Sequence, residues 1–352
     1  MRIVILHYRM PTKIALILYK IIKMNDLTII MYHYVRDLHN SRFPEIKGLD
    51  VSLFKEQIIY LKKHYNFVTA EQVIASFKKE EKLPPKAVLL TFDDAYIDHF
   101  TNVFPILGHH KIQGCFYPPV KAIVEHSVLD VNKIHFTLAA TPQKDFNNLL
   151  NRIKSLLEHY REEYSLQSYE FYFNKLAISN RFDSKEIIFI KRLLQVELPE
   201  KLRNIIVNRL FIETIKMEEE AFSRELYMNK EQIQYMVDCG MHIGSHGYDH
   251  YWLGALSKEK QESEILKSIN FIHEVGGDLN NWTMCYPYGN YNSDTIEILK
   301  KLNCRFGLTT YVGLVSTTSS EEDAVFKLPR LDTNDIPKQA NAKTNEWFHK
   351  AT

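Results

Sequence analysis

Short apolar runs rich in β-branched residues alternate with helical patterns along much of the chain. Such runs are typical of strands that are buried on both faces of a parallel sheet. Between them apolar residues recur at helical spacing, as at Phe54, Ile58 and Leu61. The pattern predicts an α/β fold, either a barrel or an open sheet, with its active site at the C-terminal ends of the strands. We predict strands over residues 27–31, 87–92, 114–117, 241–244, 283–286 and 306–310.

The middle of the chain has a different pattern, because none of the 12 glycines lies between Gly114 and Gly240. There, apolar residues from 146 to 160 follow one helical face, and further helices are predicted after Ser184 and Pro199. The charges in this stretch nearly cancel, which favours a solvated helical cap without chemistry of its own. We therefore predict one barrel domain, built from residues 24–118 and 230–345, with a helical insertion at 119–229.

Composition excludes several classes of protein. The 352 residues are 45% hydrophobic and 25% charged, unlike a disordered, collagen-like or multi-span membrane chain. Lys and Arg number 44 against 43 for Asp and Glu, so nothing predicts a nucleic-acid partner. The four cysteines have no CxxC spacing, which indicates neither a thiolate zinc site nor a disulfide framework and favours a reducing compartment.

Two polar clusters follow predicted strands and suggest a metal site. Asp93 and Asp94 come directly after the run at 87–92. Adjacent carboxylates need a cation or hydrogen bonds, which suggests a metal ligand beside a base, although an Asp pair taken alone more often caps the next helix. His246 and His250 are four residues apart, so both imidazoles can reach one ion. Two histidines and a carboxylate leave positions open for water and substrate, as in a catalytic site.

A third cluster, residues 285–289, reads Cys-Tyr-Pro-Tyr-Gly and predicts a tight turn whose backbone N–H could face a developing oxyanion, or simply a turn. In this order the three clusters resemble the motifs of the polysaccharide deacetylase family of carbohydrate esterases. The family pattern Thr-Phe-Asp-Asp-Gly reads Thr-Phe-Asp-Asp-Ala at 91–95, and His-Ser/Thr-x-x-His matches residues 246–250. Arg-x-Pro-Tyr-Gly corresponds to the third cluster. The resemblance covers about residues 25–117 and 230–340.

The resemblance implies a distorted (β/α) barrel with seven strands and a divalent metal, usually zinc. By that resemblance Asp94, His246 and His250 bind the metal. Asp93 is then the general base, and the backbone N–H of Tyr288 contacts the substrate at the oxyanion. The implied activity is hydrolysis of an N-acetyl group on an amino sugar, carried by a surface polysaccharide, a lipid-linked glycan or a smaller saccharide.

The sequence departs from the family pattern at the catalytic acid, because no histidine matches its late Leu-x-Ile-His segment. Residues 31–35, Met-Tyr-His-Tyr-Val, look like the Tyr-His-x-Val segment of a circularly permuted branch of the family. In that branch the early histidine serves as the acid, so His33 is the candidate here. The alternative is a histidine that is only hydrogen-bonded at the end of a strand.

Two further departures affect the predicted site. Gly247 stands where the family has a Ser or Thr that braces the metal loop, and we expect looser ligands as a result. Cys285 stands where the family has the Arg that orients the base. Arg330, which we also place among the substrate-binding residues, is the candidate to replace that Arg. It could instead pair with a surface carboxylate.

Two other functions remain open. An amino-sugar deformylase needs the same groups with a smaller acyl pocket, and a catalytically silent glycan-binding protein could keep the metal loop without turnover. Residues 1–23 are basic, and the apolar stretch at 14–19 is too short for a membrane span of ~20 residues. We expect either a true start at Met24 or a membrane-surface helix over 1–23. The expected location is cytoplasmic, at the inner face of a membrane in the second case.

Overall fold

The computed structural model describes residues 26–179, 183–316 and 323–351. The predicted basic segment at 1–23 lies outside these residues. Among the described residues, no helix combines the length and the hydropathy needed to cross a bilayer.

The strands and helices are numbered here in chain order. The strands are β1 Leu27–Tyr32, β2 Val35–Arg36, β3 Leu49–Asp50, β4 Asn66–Phe67, β5 Ala87–Asp93, β6 Gly114–Tyr117, β7 His242–Ile243, β8 Met284–Cys285, β9 Gly307–Leu308 and β10 Leu331–Asp332. The α-helices are α1 Val51–His64, α2 Ala70–Phe77, α3 Phe104–His110, α4 Val120–Val124, α5 Asp130–Ala140, α6 Phe146–His159, α7 Tyr169–Leu176, α8 Lys185–Arg192, α9 Glu200–Ile215, α10 Glu219–Leu226, α11 Lys230–Asp238, α12 Lys258–Glu274, α13 Ser293–Lys301 and α14 Glu346–Lys350.

Parallel pairing closes the principal strands into a barrel. The sheet runs in the order β10, β1, β5, β6 and β7, with every pair parallel. A parallel bridge between Ser245 and Met284 continues it to β8, which pairs with β9. A second bridge, between Leu308 and Leu328, joins β9 to the segment that enters β10. The ring therefore contains β1, β5, β6, β7, β8, β9 and β10, which confirms the expected distorted (β/α)7 barrel.

The apolar run of β5 lacks a polar side because both of its faces are buried. Val88, Leu90 and Phe92 pack against the surrounding helices, in one cluster with Phe54 of α1. The intervening Leu89 belongs to the cluster inside the barrel. Since side chains alternate along a strand, Asp93 points to the same side as Leu89, toward the barrel interior. The strand thus places a carboxylate at the interior rim of its C-terminal end.

Helices α4 to α10 form the insertion between β6 and α11. As predicted, Ser184 caps α8 by accepting a hydrogen bond from the N–H of Ile187, and the apolar face of the 146–160 segment is buried in α6. The insertion has a hydrophobic cluster of its own, drawn from α5 to α9 and the segments between them. A second cluster joins Phe136 and Phe222 to Tyr96 of the barrel. The insertion therefore packs against the loop after β5, next to the strand ends.

Gly244 directly precedes the loop that contains His246 and His250. A substitution at Gly244 measures how closely the start of this loop packs against its neighbours. A Cβ on Gly244 would lie 2.3 Å from Cε1 of Tyr117 and 2.8 Å from the carbonyl oxygen of Thr283. We expect Gly244→Ala to lower the free energy of unfolding by about 1–3 kcal/mol through overpacking, measured by urea denaturation. The matched control is Gly108→Ala in α3, where a Cβ would meet nothing within 4 Å. The control should be neutral or stabilising by up to about 1 kcal/mol, and equal losses in both variants would contradict this account.

Candidate metal and catalytic site

Asp93 is held by a bidentate ion pair with Arg330, which follows the β9-to-β10 connection. Nη1 and Nη2 of Arg330 lie 2.9 and 2.8 Å from Oδ1 and Oδ2 of Asp93. Burial raises the pKa of Asp93, but the charge of Arg330, with those of His246 and His33, outweighs it and lowers the pKa to about 2. Asp93 is therefore ionised near neutral pH, with its orientation fixed by a planar guanidinium.

The structure corrects part of the expectation for Arg330. Its side chain is only 1% exposed, and its Nε donates to the carbonyl oxygen of Thr309 at 2.9 Å. Nη1 also donates to Oγ1 of Thr91 at 3.2 Å. All three nitrogens thus bind groups inside the barrel, so Arg330 lies behind Asp93 rather than at a surface that substrate could touch. Its ion pair is with the predicted base and not with a surface carboxylate.

Asp94, His246 and His250 converge on one buried position. Oδ1 of Asp94 lies 3.4 Å from Nε2 of each histidine, and the three ligand atoms all lie within 4.8 Å of one another. That oxygen is buried and has no hydrogen-bond partner among the residues described. An unpaired buried carboxylate oxygen is unfavourable unless a cation or donor satisfies it. Two imidazole nitrogens and one carboxylate oxygen fit a divalent metal with open positions.

Hydrogen bonding prepares the histidines as ligands. Nδ1 of His246 lies 2.7 Å from the carbonyl oxygen of Cys285, and by donating there it leaves the lone pair of the neutral ring on Nε2. Burial lowers the pKa of His246, but Cys285 and Asp94 outweigh it and raise the pKa well above its usual value. Burial lowers the pKa of His250 to about 3. His250 is therefore neutral near neutral pH, with a lone pair available to a cation.

The metal loop is braced although it lacks the Ser or Thr of the family pattern. Gly247, at φ +73°, donates its N–H to Oγ of Ser245 at 3.2 Å. Glu264 of α12 accepts from the backbone N–H groups of Tyr248 and Asp249 at 3.2 and 2.8 Å. These bonds provide the support that the departure at Gly247 put in question, and no motif pointed to Glu264.

A network that no motif had indicated runs from the insertion to Asp94, one of the candidate metal ligands. Tyr96 donates its hydroxyl to Oδ2 of Asp94 at 2.7 Å. The fully buried Asn132 of α5 donates its amide to the hydroxyls of Tyr96 and Tyr34, at 2.7 and 2.8 Å, and accepts from Tyr227. Because Tyr96 accepts a hydrogen bond from Asn132, its own proton is directed to Asp94. Asn132 is distant in sequence from every motif, so no spacing could have identified it.

The remaining candidates lie around the same position. Nε2 of His33, just after β1, is 3.9 Å from Oδ2 of Asp93, and its side chain is 41% exposed. His33 lines a cavity of about 480 Å³. Tyr288 has φ +57°, and its ring stacks on Trp252 at 4.5 Å and meets the edge of His250 at 4.7 Å. The structure thus brings all of the sequence-predicted site residues to one end of the barrel.

The ion pair between Asp93 and Arg330 predicts how stability depends on pH. In Arg330→Met the buried carboxylate loses its partner, which should cost about 3–5 kcal/mol at neutral pH. With Arg330, the pKa of Asp93 is below the unfolded value of ~3.9, so the pair stabilises the fold above that pH and the contribution fades as the pH falls toward 2. Without Arg330, burial raises the pKa of Asp93, so the variant loses stability as the pH rises through ~4.

Urea denaturation at pH 4 and pH 7 measures this effect. The stability deficit of Arg330→Met relative to the unsubstituted chain should be larger at pH 7 than at pH 4. Arg224→Met is the control, because Arg224 forms only an exposed pair with Glu220, and it should change stability by less than about 1 kcal/mol. An equal deficit at both pH values would contradict the coupling between Arg330 and Asp93.

Part of the chain is similar in sequence to known polysaccharide deacetylases. The family model described as polysaccharide deacetylase matches residues 209–307, which contain the metal loop and the turn at 285–289 but not Asp93 and Asp94. YxkH of Bacillus subtilis (strain 168), named as a polysaccharide deacetylase, is 30% identical over 122 residues, covering 34% of this chain and 40% of that protein. A poly-beta-1,6-N-acetyl-D-glucosamine N-deacetylase of Staphylococcus aureus (strain MSSA476) is 33% identical over 110 residues, covering 30% and 36%. The chain thus matches less than half the length of these relatives.

Solved structures share the fold over a larger part of the chain. The structure of IcaB from Ammonifex degensii aligns with a TM-score of 0.52 at 17% identity, and the alignment covers 90% of this chain and 97% of that one. The alignment reaches well beyond the segment matched by the family model. At this level of identity the likeness establishes a common fold.

Proposed function

We propose that the chain, which resembles the polysaccharide deacetylase family in its motifs and in the segment that matches the family model, is a metal-dependent hydrolase that removes the N-acetyl group from an amino sugar. The observation that carries the proposal is the pairing of two different carboxylates. Asp93 is ionised and oriented by Arg330, while the neighbouring Asp94 keeps an unpaired oxygen facing two histidines. Zinc is the metal that we propose, since two imidazoles and one carboxylate are a common catalytic zinc set.

The residues divide the steps of amide hydrolysis between them. A divalent cation bound at the Asp94 site would polarise the amide carbonyl and lower the pKa of the attacking water. Asp93, held by Arg330, accepts the proton of that water. His33 donates a proton to the departing amine, and the backbone N–H of Tyr288 donates to the oxyanion. The products are acetate and a free amino sugar.

The substrate that we propose is an N-acetylated saccharide, either a surface polysaccharide, a lipid-linked glycan or a smaller sugar. A relative named for poly-beta-1,6-N-acetyl-D-glucosamine supports β-1,6-linked N-acetylglucosamine as the first substrate to assay. We also propose a cytoplasmic location, with peripheral membrane contact through residues 1–23. That part of the proposal rests on the basic sequence of the segment and on its short apolar stretch.

Removing a metal ligand tests the function directly. We expect Asp94→Ala to lose both bound metal and hydrolysis of N-acetylglucosamine oligomers, measured by elemental analysis and by acetate release. Asp238→Ala, at the exposed end of α11, is the matched control and should retain both. Full activity after chelation would overturn the proposal. Release of formate from N-formylated sugars, without acetate from N-acetylated ones, would identify a deformylase instead. Sugar binding without turnover that Asp93→Asn leaves unchanged would identify a silent glycan-binding protein.

His33 can be tested separately, because it lies beside the base but outside the metal ligands. We expect His33→Ala to lower kcat by roughly 10²–10⁴-fold while metal content and the free energy of unfolding stay normal. His39→Ala is the control, because His39 is an exposed histidine in the connection between β2 and β3, and it should leave kcat unchanged. If His33→Ala instead loses metal or stability, the histidine has a structural role and another group supplies the proton.

A further inference from the structure

A cavity of about 260 Å³ lies between the insertion and the metal loop. We call it the insertion cavity. Its lining includes Asp130, Arg203 and Asn204 of the insertion and His250, Trp252 and Tyr288 of the barrel. It shares no lining residue with the cavity that contains His33. Because His250 belongs to the metal ligand set, a molecule in the insertion cavity would border the metal site.

The walls of the insertion cavity are polar, yet much of their charge is internally paired. Lys121 and Asp249 form an ion pair at 2.5 Å, and Lys133 and Glu219 form another at 2.8 Å. A small apolar acyl group would gain little from such walls, and neither a strongly anionic nor a strongly cationic ligand is favoured. Neutral hydroxyl groups, which both donate and accept hydrogen bonds, suit these surroundings.

Asp130 and Trp252, which both line the insertion cavity, carry buried polar groups. Burial raises the pKa of Asp130, and with the Asn204 amide turned so that its nitrogen faces acceptors, that nitrogen donates to Oδ2 of Asp130 at 2.7 Å. The Nε1–H of Trp252 is buried and has no hydrogen-bond partner within the described part of the chain. An unpaired buried donor costs about 1–3 kcal/mol unless a ligand or water satisfies it.

The stacked rings of Trp252 and Tyr288 give the insertion cavity an apolar face as well. Trp252 stacks on Tyr288 with their ring planes 10° apart, directly beside His250. Flat aromatic surface next to fixed polar groups matches a sugar ring, which has apolar C–H faces and hydroxyl edges. The volume lies just below the ~300–1,000 Å³ of pockets for drug-sized ligands, which corresponds to a single ring rather than a length of polymer.

We propose that the insertion cavity is a subsite for one neutral sugar unit covalently linked to the unit that loses its acetyl group. The substrate then contains at least two linked sugars, and the helical insertion sets acceptor specificity. This inference rests on the proposed function, since it takes the metal site as the place where the amide is hydrolysed. It also assigns a function to the insertion, for which the sequence had indicated no chemistry.

Saccharide binding to the full chain tests the subsite without relying on turnover. The probes are N-acetylglucosamine and its β-1,6-linked trisaccharide, titrated by calorimetry into the Asp93→Asn variant with zinc present. We expect the trisaccharide to bind at least about tenfold more tightly than the monosaccharide. Adding Arg203→Met should remove most of that difference and leave monosaccharide binding unchanged. Arg209→Met is the matched control, because Arg209 is exposed on the same helix and does not line the cavity.

The Arg203 side chain also donates to the carbonyl oxygen of Gln195, so Arg203→Met removes a structural hydrogen bond as well as a cavity group. A second variant, at Trp252, separates the loss of a sugar contact from a loss of folding. Trp252→Phe keeps an aromatic ring but reduces the flat surface and removes the indole N–H, and it should weaken trisaccharide binding by about tenfold. Equal affinity for both sugars in the Asp93→Asn chain, or equal losses for both sugars in the cavity variants, would overturn the subsite. If the unsubstituted chain releases neither acetate nor formate while the expected binding pattern is seen, the proposed function fails, and the insertion cavity stands as a sugar-binding site that is not linked to hydrolysis.

Discussion

The site depends on stabilising two adjacent buried carboxylates at the end of one strand. Two unit charges 4 Å apart repel by roughly 4 kcal/mol at an effective dielectric constant of 20, so each carboxylate needs its own partner. Asp93 continues the alternation of β5 into the barrel and meets Arg330. Asp94 and Ala95 then take φ values of +73° and +53°. That left-handed turn, strained for residues other than glycine, gives Asp94 a separate set of partners in the histidines and Tyr96.

The insertion also helps to stabilise this pair of carboxylates, through hydrogen bonds that reach Asp94. Asn132 directs the proton of Tyr96 toward Oδ2 of Asp94, which leaves Oδ1 as the oxygen without a donor. A ligand carboxylate with one oxygen hydrogen-bonded and the other open is oriented before any cation arrives. The same helix, α5, begins with Asp130 at the insertion cavity. One helix of the insertion therefore contributes both to the hydrogen bonds that orient Asp94 and to the proposed sugar subsite.

The sequence predicted the elements that have a local signature. Buried strands such as β5 show as apolar runs, Ser184 shows as a cap, and the histidine pair shows through its spacing. Contacts between distant segments leave no such signature. The sequence could suggest Arg330 only as one alternative, because its bond to Asp93 depends on β10 lying beside β1 in a closed ring. Asn132 and Glu264 were missed for the same physical reason, since their partners are brought to them by packing alone.

The cysteine at 285 and the arginine at 330 can be explained together: the guanidinium that the family pattern places at 285 is supplied here from 330. The Cys285 sulfur, a carboxylate oxygen of Asp93 and a ring nitrogen of His246 all lie within 4.8 Å of one another. An arginine at 285 would bring a second guanidinium to a buried carboxylate whose two oxygens already bind Arg330, and two cations there would repel. A small residue at 285 is thus what Arg330 requires. Burial also raises the pKa of the Cys285 thiol, so the side chain at 285 does not compete with Arg330 for the carboxylate of Asp93.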